Sequence, residues 1–470
     1  MWPQPVLDLL AVGGDKPVFE DGDRVVTAAE MSGLIRRIAA GLRAAGIGPG
    51  AGVALRLSVT ASAFAATMAA FAVGARVCGV GPGLTPAQVG DLLRHADAEL
   101  IDDARVAALE RSADDGVPPV AAGRPGDIAR IIYTSGSTGD PKGCVQTYAA
   151  MSAAWAPFPD RWPPAIAELA GRLGRYLVFG SLSSQVMLEY GVLALVAGGT
   201  LVVARPPGFP AAIVRHRATA SVITVGKLYQ LIRDQRANPV DLSSLGALMV
   251  SGSPLDPGRL REALEVLGPV LFHGYGQTET GMIAMVTPAE LLGDPATLSS
   301  VGRPPPVHDL EIRDGELYVR TPSQASAYWK DPAASAEVFV DGWIRTRDLA
   351  TRTADGYLHL HGRARDVIIV HAVLVHAGPV ERTLATDPAV AEAYVVGRPD
   401  EVTGEAVHAF VVPARGRIPD PDQLRDLVAE RLGEAAVPRT VTVIDAVPVA
   451  SSGKPDKSLL RVTGRTGTPL

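Results

Sequence analysis

The first hundred residues alternate two hydrophobic periods, and this alternation limits the fold more than any other feature of the chain. MSGLIRRIAAGLRAAGI (31–47) carries apolar residues at helical spacing and stops at Gly46. GVALRL (52–57) reads as a short apolar strand, ASAFAATMAAFAVGA as a helix, and RVCGVGP as the next strand, closed by Pro82 and Gly83. In TPAQVGDLLRHADAELI, Thr85 is placed to cap a helix, Pro86 to take its first position, and AELI to start a strand. Strand and helix in turn predict an α/β fold with a largely parallel sheet.

Residues 106–126 are polar and Gly/Pro-bearing and read as loop. Strand, loop and helix units then continue through ARIIYTS, RYLVFGS, GTLVVA, ASVITV, GALMVSG and PVLFHGYG. Near Leu310 the character changes. LEIRDGELYVR reads as a hairpin turning at Asp314-Gly315, and DGYLHLHGR as a strand entered through Asp355-Gly356. A smaller α/β unit begins beyond Arg363, which places a domain boundary near 362–365. At about 100–200 residues per domain, a chain of 470 residues has room for that division.

Bulk properties remove several classes. A net charge of -6 argues against a general nucleic-acid binder. The two cysteines, Cys78 and Cys144, sit in no CxxC or Cys/His cluster, so neither zinc nor an oxidising compartment is called for. The N-terminus lacks a basic region followed by an apolar core, as a signal peptide would need. Leu57 to Ala75 reads as a buried helix, and Val192 to Ala204 is too short to span a bilayer. A cytoplasmic protein with no membrane and no nucleic-acid partner is expected.

The segment richest in chemistry is IIYTSGSTGDPKG (131–143). An apolar strand runs into Thr134, Ser135, Gly136, Ser137, Thr138 and Gly139, followed by Lys142. Hydroxyls, close backbone N–H groups and a lysine suit phosphate oxygens. It is not a Walker A loop, since no Gly-Lys-Ser/Thr opens a helix. YTSGSTGDPKG resembles the phosphate-loop signature of the adenylate-forming superfamily: acyl-CoA synthetases, peptide-synthetase adenylation domains and luciferases. Further segments resemble that family's motifs in its order: GYGQTETG (274–281), DGWIRTRDLATRTADGYLHLHGRARDVI (341–368), VVGRPDEVTGEAVHAFVV (395–412) and PVASSGKPDKSLL (448–460).

The resemblance implies an ATP- and acid-binding N-terminal domain over 1–361, with parallel-rich sheets and a small β subdomain. A hinge follows at 362–365, centred on Arg365, and then a mobile C-terminal α/β lid over 366–470. It implies activation of a small carboxylic acid by ATP as acyl-AMP, with release of pyrophosphate. Transfer would follow to a thiol, either CoA or the phosphopantetheine of a carrier protein. Glu279 would hold Mg²⁺, a hard cation that takes oxygen ligands, and Thr278 would touch phosphate. His273, Gly274 and Tyr275 would line the adenine pocket, opposite Ser251, Gly252 and Ser253. Asp348 would accept hydrogen bonds from both ribose hydroxyls, and Arg363 would contact ribose or phosphate. Lys454 would neutralise charge developing on the α-phosphate and acyl oxygens. Ser184, Gln185, Val225, Lys227 and Gly276 would form the acid pocket.

The chain departs from the family pattern in places. Arg347 stands where the family has the glycine of TGD, Arg365 holds the hinge position, and His371-Ala372 replace a Gly-Gly that lets pantetheine approach. Pro-x-Glu-Val-Glu becomes Ala377-Gly378-Pro379-Val380-Glu381. These changes question ordinary thioester formation and leave an amine acceptor open. Gln185 falls where amino-acid-activating relatives place an aspartate for the α-ammonium, which disfavours an ordinary α-amino acid. Adenylation of a non-carboxylate oxyacid, direct amide formation and a non-catalytic nucleotide-binding relative are the alternatives.

Overall fold

The computed structural model describes residues 1–462 apart from 82, 115, 135–141, 183, 207, 253–254, 365, 372 and 450–454, with the backbone alone at 134, 458 and 462. Among the described residues the strands form four sheets, of eight, six, five and five strands.

The two large sheets are parallel at their centres. In the six-stranded sheet, Gly52–Arg56, Arg76–Gly79, Glu99–Asp102 and Ile128–Thr134 run parallel. In the eight-stranded sheet, Arg175–Val178, Thr200–Val203, Ala220–Thr224, Ala247–Ser251 and Leu271–Gln277 do the same. The intervening helices start on hydroxyl caps. Thr27 and Thr85 each form a full capping box, and Thr60, Ser184 and Thr224 accept from the third residue after them. The helix Ala61–Ala72 is buried at every residue but Ser62, so most of the uncharged 57–75 stretch is core. No helix among the described residues is long and apolar enough to cross a membrane.

A small antiparallel sheet follows, built on Asp309–Arg313, Glu316–Arg320, Trp343–Arg352 and Leu358–Arg363. Its first hairpin turns where expected, with Asp314 at φ 51 and Gly315 at φ 80, the pair of positive angles a two-residue turn needs. The last sheet is a separate α/β unit of Val367–Val370, Val373–His376, Val390–Asp400, Gly404–Pro413 and Thr440–Val443. It has its own apolar core, to which the helices Ala377–Leu384 and Pro421–Leu432 contribute. The architecture is a large N-terminal α/β domain with a β subdomain, then a small C-terminal α/β domain.

Two expectations change. Part of 106–126 is helical, because Asp102 caps Asp103–Leu109 and buries Val106 and Leu109. The unit after Ile128–Thr134 is not strand, loop and helix. The strand Lys142–Thr147 returns antiparallel to it, with four consecutive buried residues, Gly143, Cys144, Val145 and Gln146. The two strands that flank the glycine-rich segment in sequence are therefore antiparallel neighbours.

Gly302 shows how tightly the subdomain closes on the large sheet. Its φ is +96, and an added Cβ would lie 2.1 Å from the Met285 carbonyl oxygen. Gly302→Ala should cost about 3 kcal/mol or more in denaturant unfolding. Gly342→Ala is the control. Its φ is +80, but nothing lies within 4 Å of the new methyl. That change should cost about 1–2 kcal/mol from the dihedral alone. Equal losses would show that the contact with Met285 relaxes freely.

Candidate active site

Open α/β sheets bind ligands at the carboxyl ends of their strands. The motif residues collect there. The segment 135–141 follows Ile128–Thr134, Ser251 ends Ala247–Ser251, and GYGQTETG lies on Leu271–Gln277 and the hairpin beyond it. Thr278, Glu279 and Thr280 form the bend of that hairpin, closed by Gly281 at φ +73. A left-handed angle costs glycine nothing.

Asp348 is the centre of the best-defined cluster. It is buried at 5% exposure in the strand Trp343–Arg352, on the inward phase of an alternating pattern. Its Oδ2 accepts from Tyr275 Oη at 2.5 Å and from Gln277 Nε2 at 2.6 Å. Arg363 Nε lies 3.0 Å from Oδ1. Burial, then the Asp348 charge, push the Tyr275 phenol well above its usual range, so it stays a donor.

A second cluster surrounds Glu279. Tyr328 Oη donates to Glu279 Oε1 at 2.6 Å, and Lys142 Nζ lies 5.3 Å from the centre of the Tyr328 ring. Tyr328 reaches this place because Ala327–Tyr328 pairs with Lys142–Thr147. Burial and the nearby Glu279 charge raise its phenol too. Among the described residues no group of three metal-ligating side chains forms. One half-buried carboxylate nevertheless suits Mg²⁺, which completes its shell with phosphate and water.

The other expected residues divide. His273 does not present its ring to an open pocket. It is buried at 5% exposure, and burial lowers its pKa to about 4, so it stays neutral. The strand emerges from its neighbours only at Tyr275, after four buried residues. Gly274 is buried as well, while Gly276 and Gly252 are exposed. Ser184 is exposed and caps the helix Gln185–Val196, accepting from Met187 N. Gln185 faces the hairpin: an added Cβ at Gly281 would stand 3.8 Å from its Nε2. Val225 is buried, and Lys227 is exposed in the first turn of Val225–Ala237. Ser135, Gly136, Ser137, Thr138, Gly139, Ser253, Arg365 and Lys454 lie outside the described residues, and of Thr134 only the backbone is described.

Three contributors were not read from the sequence. Gln277 occupies the variable position of its motif, Tyr328 lies far from any motif, and Lys457 follows the late lysine. Lys457 Nζ pairs with Glu381 Oε1 at 2.7 Å, and Glu381 Oε1 also accepts from Val395 N.

Residues 10–329 match the AMP-binding enzyme family, and 379–454 match the AMP-binding enzyme C-terminal domain. The feruloyl-CoA synthase of Amycolatopsis sp is 32% identical over 469 residues, covering 92% of this chain and 93% of the relative. The medium/long-chain-fatty-acid--CoA ligase FadD8 of Mycobacterium tuberculosis is 32% identical over 408 residues, covering 80% and 67%. Among solved structures, the amide bond synthetase McbA from Marinactinospora thermotolerans is 34% identical and covers 98% of both chains at a TM-score of 0.84. Two successive family matches on a chain whose carboxyl-end clusters are so arranged place it in the AMP-binding enzyme family, as an adenylate-forming ligase.

Proposed function

We propose that this protein uses ATP and Mg²⁺ to convert a small carboxylic acid to its acyl-adenylate and then passes the acyl group to an acceptor. The supporting observation is the pair of neighbouring clusters, Asp348 with Tyr275, Gln277 and Arg363, and Glu279 with Tyr328 and Lys142, close enough for the Glu279 charge to act on Arg363. A carboxylate has about four acceptor sites, and three of those on Asp348 are taken. One ribose hydroxyl would use the fourth, and a second would displace Gln277 or Arg363. Tyr275 is held by the same bond, and its ring would stack on adenine.

The substrate carboxylate attacks the α-phosphorus in line. A new O–P bond forms as the Pα–O bond to the β-phosphate breaks, and pyrophosphate leaves with that electron pair. Bound at Glu279, Mg²⁺ would offset phosphate charge. Lys142 and the 135–141 segment would hold the β- and γ-phosphates, and Lys454 the charge growing at the α-phosphate. Residues 362–365 would serve as the hinge for a C-terminal lid over 366–470.

A thiol is the first acceptor to consider, CoA or a carrier protein. An amine is the second reading, and His371 favours it. His371 stands where the family has a glycine, yet keeps a left-handed φ of 49. Its side chain would add bulk where the family's glycine leaves room for pantetheine. The similarity to an amide bond synthetase points the same way.

Pyrophosphate release with MgATP over a panel of aromatic, short aliphatic and dicarboxylic acids tests the reading, each run with CoA, with an amine, with hydroxylamine and alone. Release with one acid and trapping of its hydroxamate is expected. No release from any acid, with ATP bound, would overturn it. Product formed with the amine and not with CoA would select the second reading.

A further inference from the structure

Arg347 stands beside the site with its backbone fixed on both sides. The Thr346 carbonyl, which shares a peptide with Arg347 N, accepts from Gln277 Nε2 at 2.9 Å. The Arg347 carbonyl accepts from Ala364 N, within the 362–365 segment, at 2.8 Å. The side chain therefore starts between the Asp348 cluster and the hinge segment. Its φ of 59 is a left-handed angle that glycine adopts freely and a larger residue only at a cost. Strain of this kind gathers at ligand clamps, where the surroundings hold it in place.

The guanidinium reaches toward the elements that carry the Glu279 cluster. Its Nη2 donates to Glu337 Oε2 at 2.5 Å, on the helix Pro332–Val338. The same helix fixes Tyr328, whose N donates to Ser335 Oγ at 2.9 Å, and the Tyr328 ring meets Phe339 edge-on at 5.2 Å between centroids. Tyr328 is the residue whose hydroxyl donates to Glu279. Burial and Glu279 raise its phenol, and the Arg347 charge opposes that rise. Arg347 thus joins Lys142 as a cation acting on the Tyr328–Glu279 pair.

Its partner is a poor competitor. The Glu337 side chain is 63% exposed, against 27% for Arg347. An ion pair with so exposed a carboxylate contributes little and is readily exchanged. A guanidinium presents a planar fork of donors that matches phosphate oxygens.

We propose that Arg347 is a further phosphate-binding residue, which leaves Glu337 when the nucleotide binds and grips the β- and γ-phosphates of ATP, then the departing pyrophosphate. This rests on the adenylation reading above, in which those phosphates lie at Glu279 and Lys142. It adds a contact that a glycine at this position does not supply.

The test uses the full chain. Calorimetric affinities for MgATP, magnesium pyrophosphate and AMP are measured, with thermal melts, for the wild type, Arg347→Gly, Arg347→Lys and Glu337→Gln. Glycine suits the left-handed angle, so Arg347→Gly should melt close to the wild type. Its affinity for MgATP and for pyrophosphate should fall by about tenfold or more, the size expected for a charge-assisted contact. AMP lacks both distal phosphates and should bind within about twofold of the wild type. Arg347→Lys keeps the charge without the fork and should recover part of the loss. Glu337→Gln removes the competitor and should keep or raise the affinity for MgATP. Unchanged MgATP affinity in Arg347→Gly, or equal losses for MgATP and AMP, would overturn the proposal. So would a fall in Glu337→Gln as large as that in Arg347→Gly, since the ion pair itself would then be what matters. The affinities need no turnover. A wild type that binds MgATP but releases pyrophosphate with no acid would remove the adenylation reading, while the difference between MgATP and AMP would still sustain or sink Arg347. A wild type that binds neither MgATP nor pyrophosphate would overturn both.

Discussion

Asp348→Ala should lower kcat/KM for ATP by about 100-fold or more, and it should also destabilise the fold. The two effects have different origins. A hydrogen bond to a charged group contributes about 1.5–3 kcal/mol, so loss of one or two ribose contacts removes that much of nucleotide recognition. The stability effect comes from the donors left behind. Tyr275 and Gln277 both point at Asp348 Oδ2 from a half-buried strand end. Arg363 is different: its side chain is 43% exposed and can turn to water. We therefore expect about 2–3 kcal/mol of lost stability, mainly from these two half-buried donors. Asp348→Asn separates the roles. It keeps a carbonyl oxygen for Tyr275 and should restore most of the melting temperature, while ATP recognition remains impaired through the lost charge. KM for ATP and thermal melts of both variants check this. Normal ATP affinity in Asp348→Ala would assign Asp348 to the fold alone.

The fold was largely legible because its strands and helices announce themselves by apolar period and by Thr and Ser caps. Thr85 and Pro86 do what their positions imply. The direction of Lys142–Thr147 was not legible, since KGCVQT has no period that separates an antiparallel return from the start of another unit. Within the site, Asp348 and Glu279 stand in recognisable motifs, whereas Tyr328 comes from a two-residue strand whose pairing with Lys142–Thr147 only the tertiary fold supplies. The burial of His273 was not legible for the opposite reason. Nearness in sequence to Tyr275 hid the fact that the strand is covered on both faces until residue 275. The departures at Arg347 and His371 gave a partial signal. Both sit in left-handed backbone, at φ 59 and 49, which glycine adopts most readily, and Arg347 adds an ion pair with Glu337.

Lys454→Ala should reduce pyrophosphate release by about 1,000-fold while the affinity for MgATP changes by less than about threefold, since removing one charge that acts only at the transition state costs about 3–4 kcal/mol of barrier. The expected selectivity follows from how the residues on either side of its segment are held. Residues 450–454 are bracketed by the bridge between Val449 and Pro455, and Asp456 N donates to the Pro448 carbonyl at 2.7 Å. Beyond them Lys457 is pinned to Glu381, and Leu460 sits in a small core with Val396, Phe410 and Ile444. Those contacts are made by residues on either side of 450–454, so Lys454→Ala should leave them in place and the loss should report chemistry. Lys457→Ala gives the contrast. It strips Glu381, which burial already raises above its usual range, of the cation that opposes the rise. Its expected signature is a lower melting temperature with a milder loss of rate. Full activity in Lys454→Ala would take that residue out of the mechanism, and an equal loss of stability in both variants would mean that the first acts through the fold.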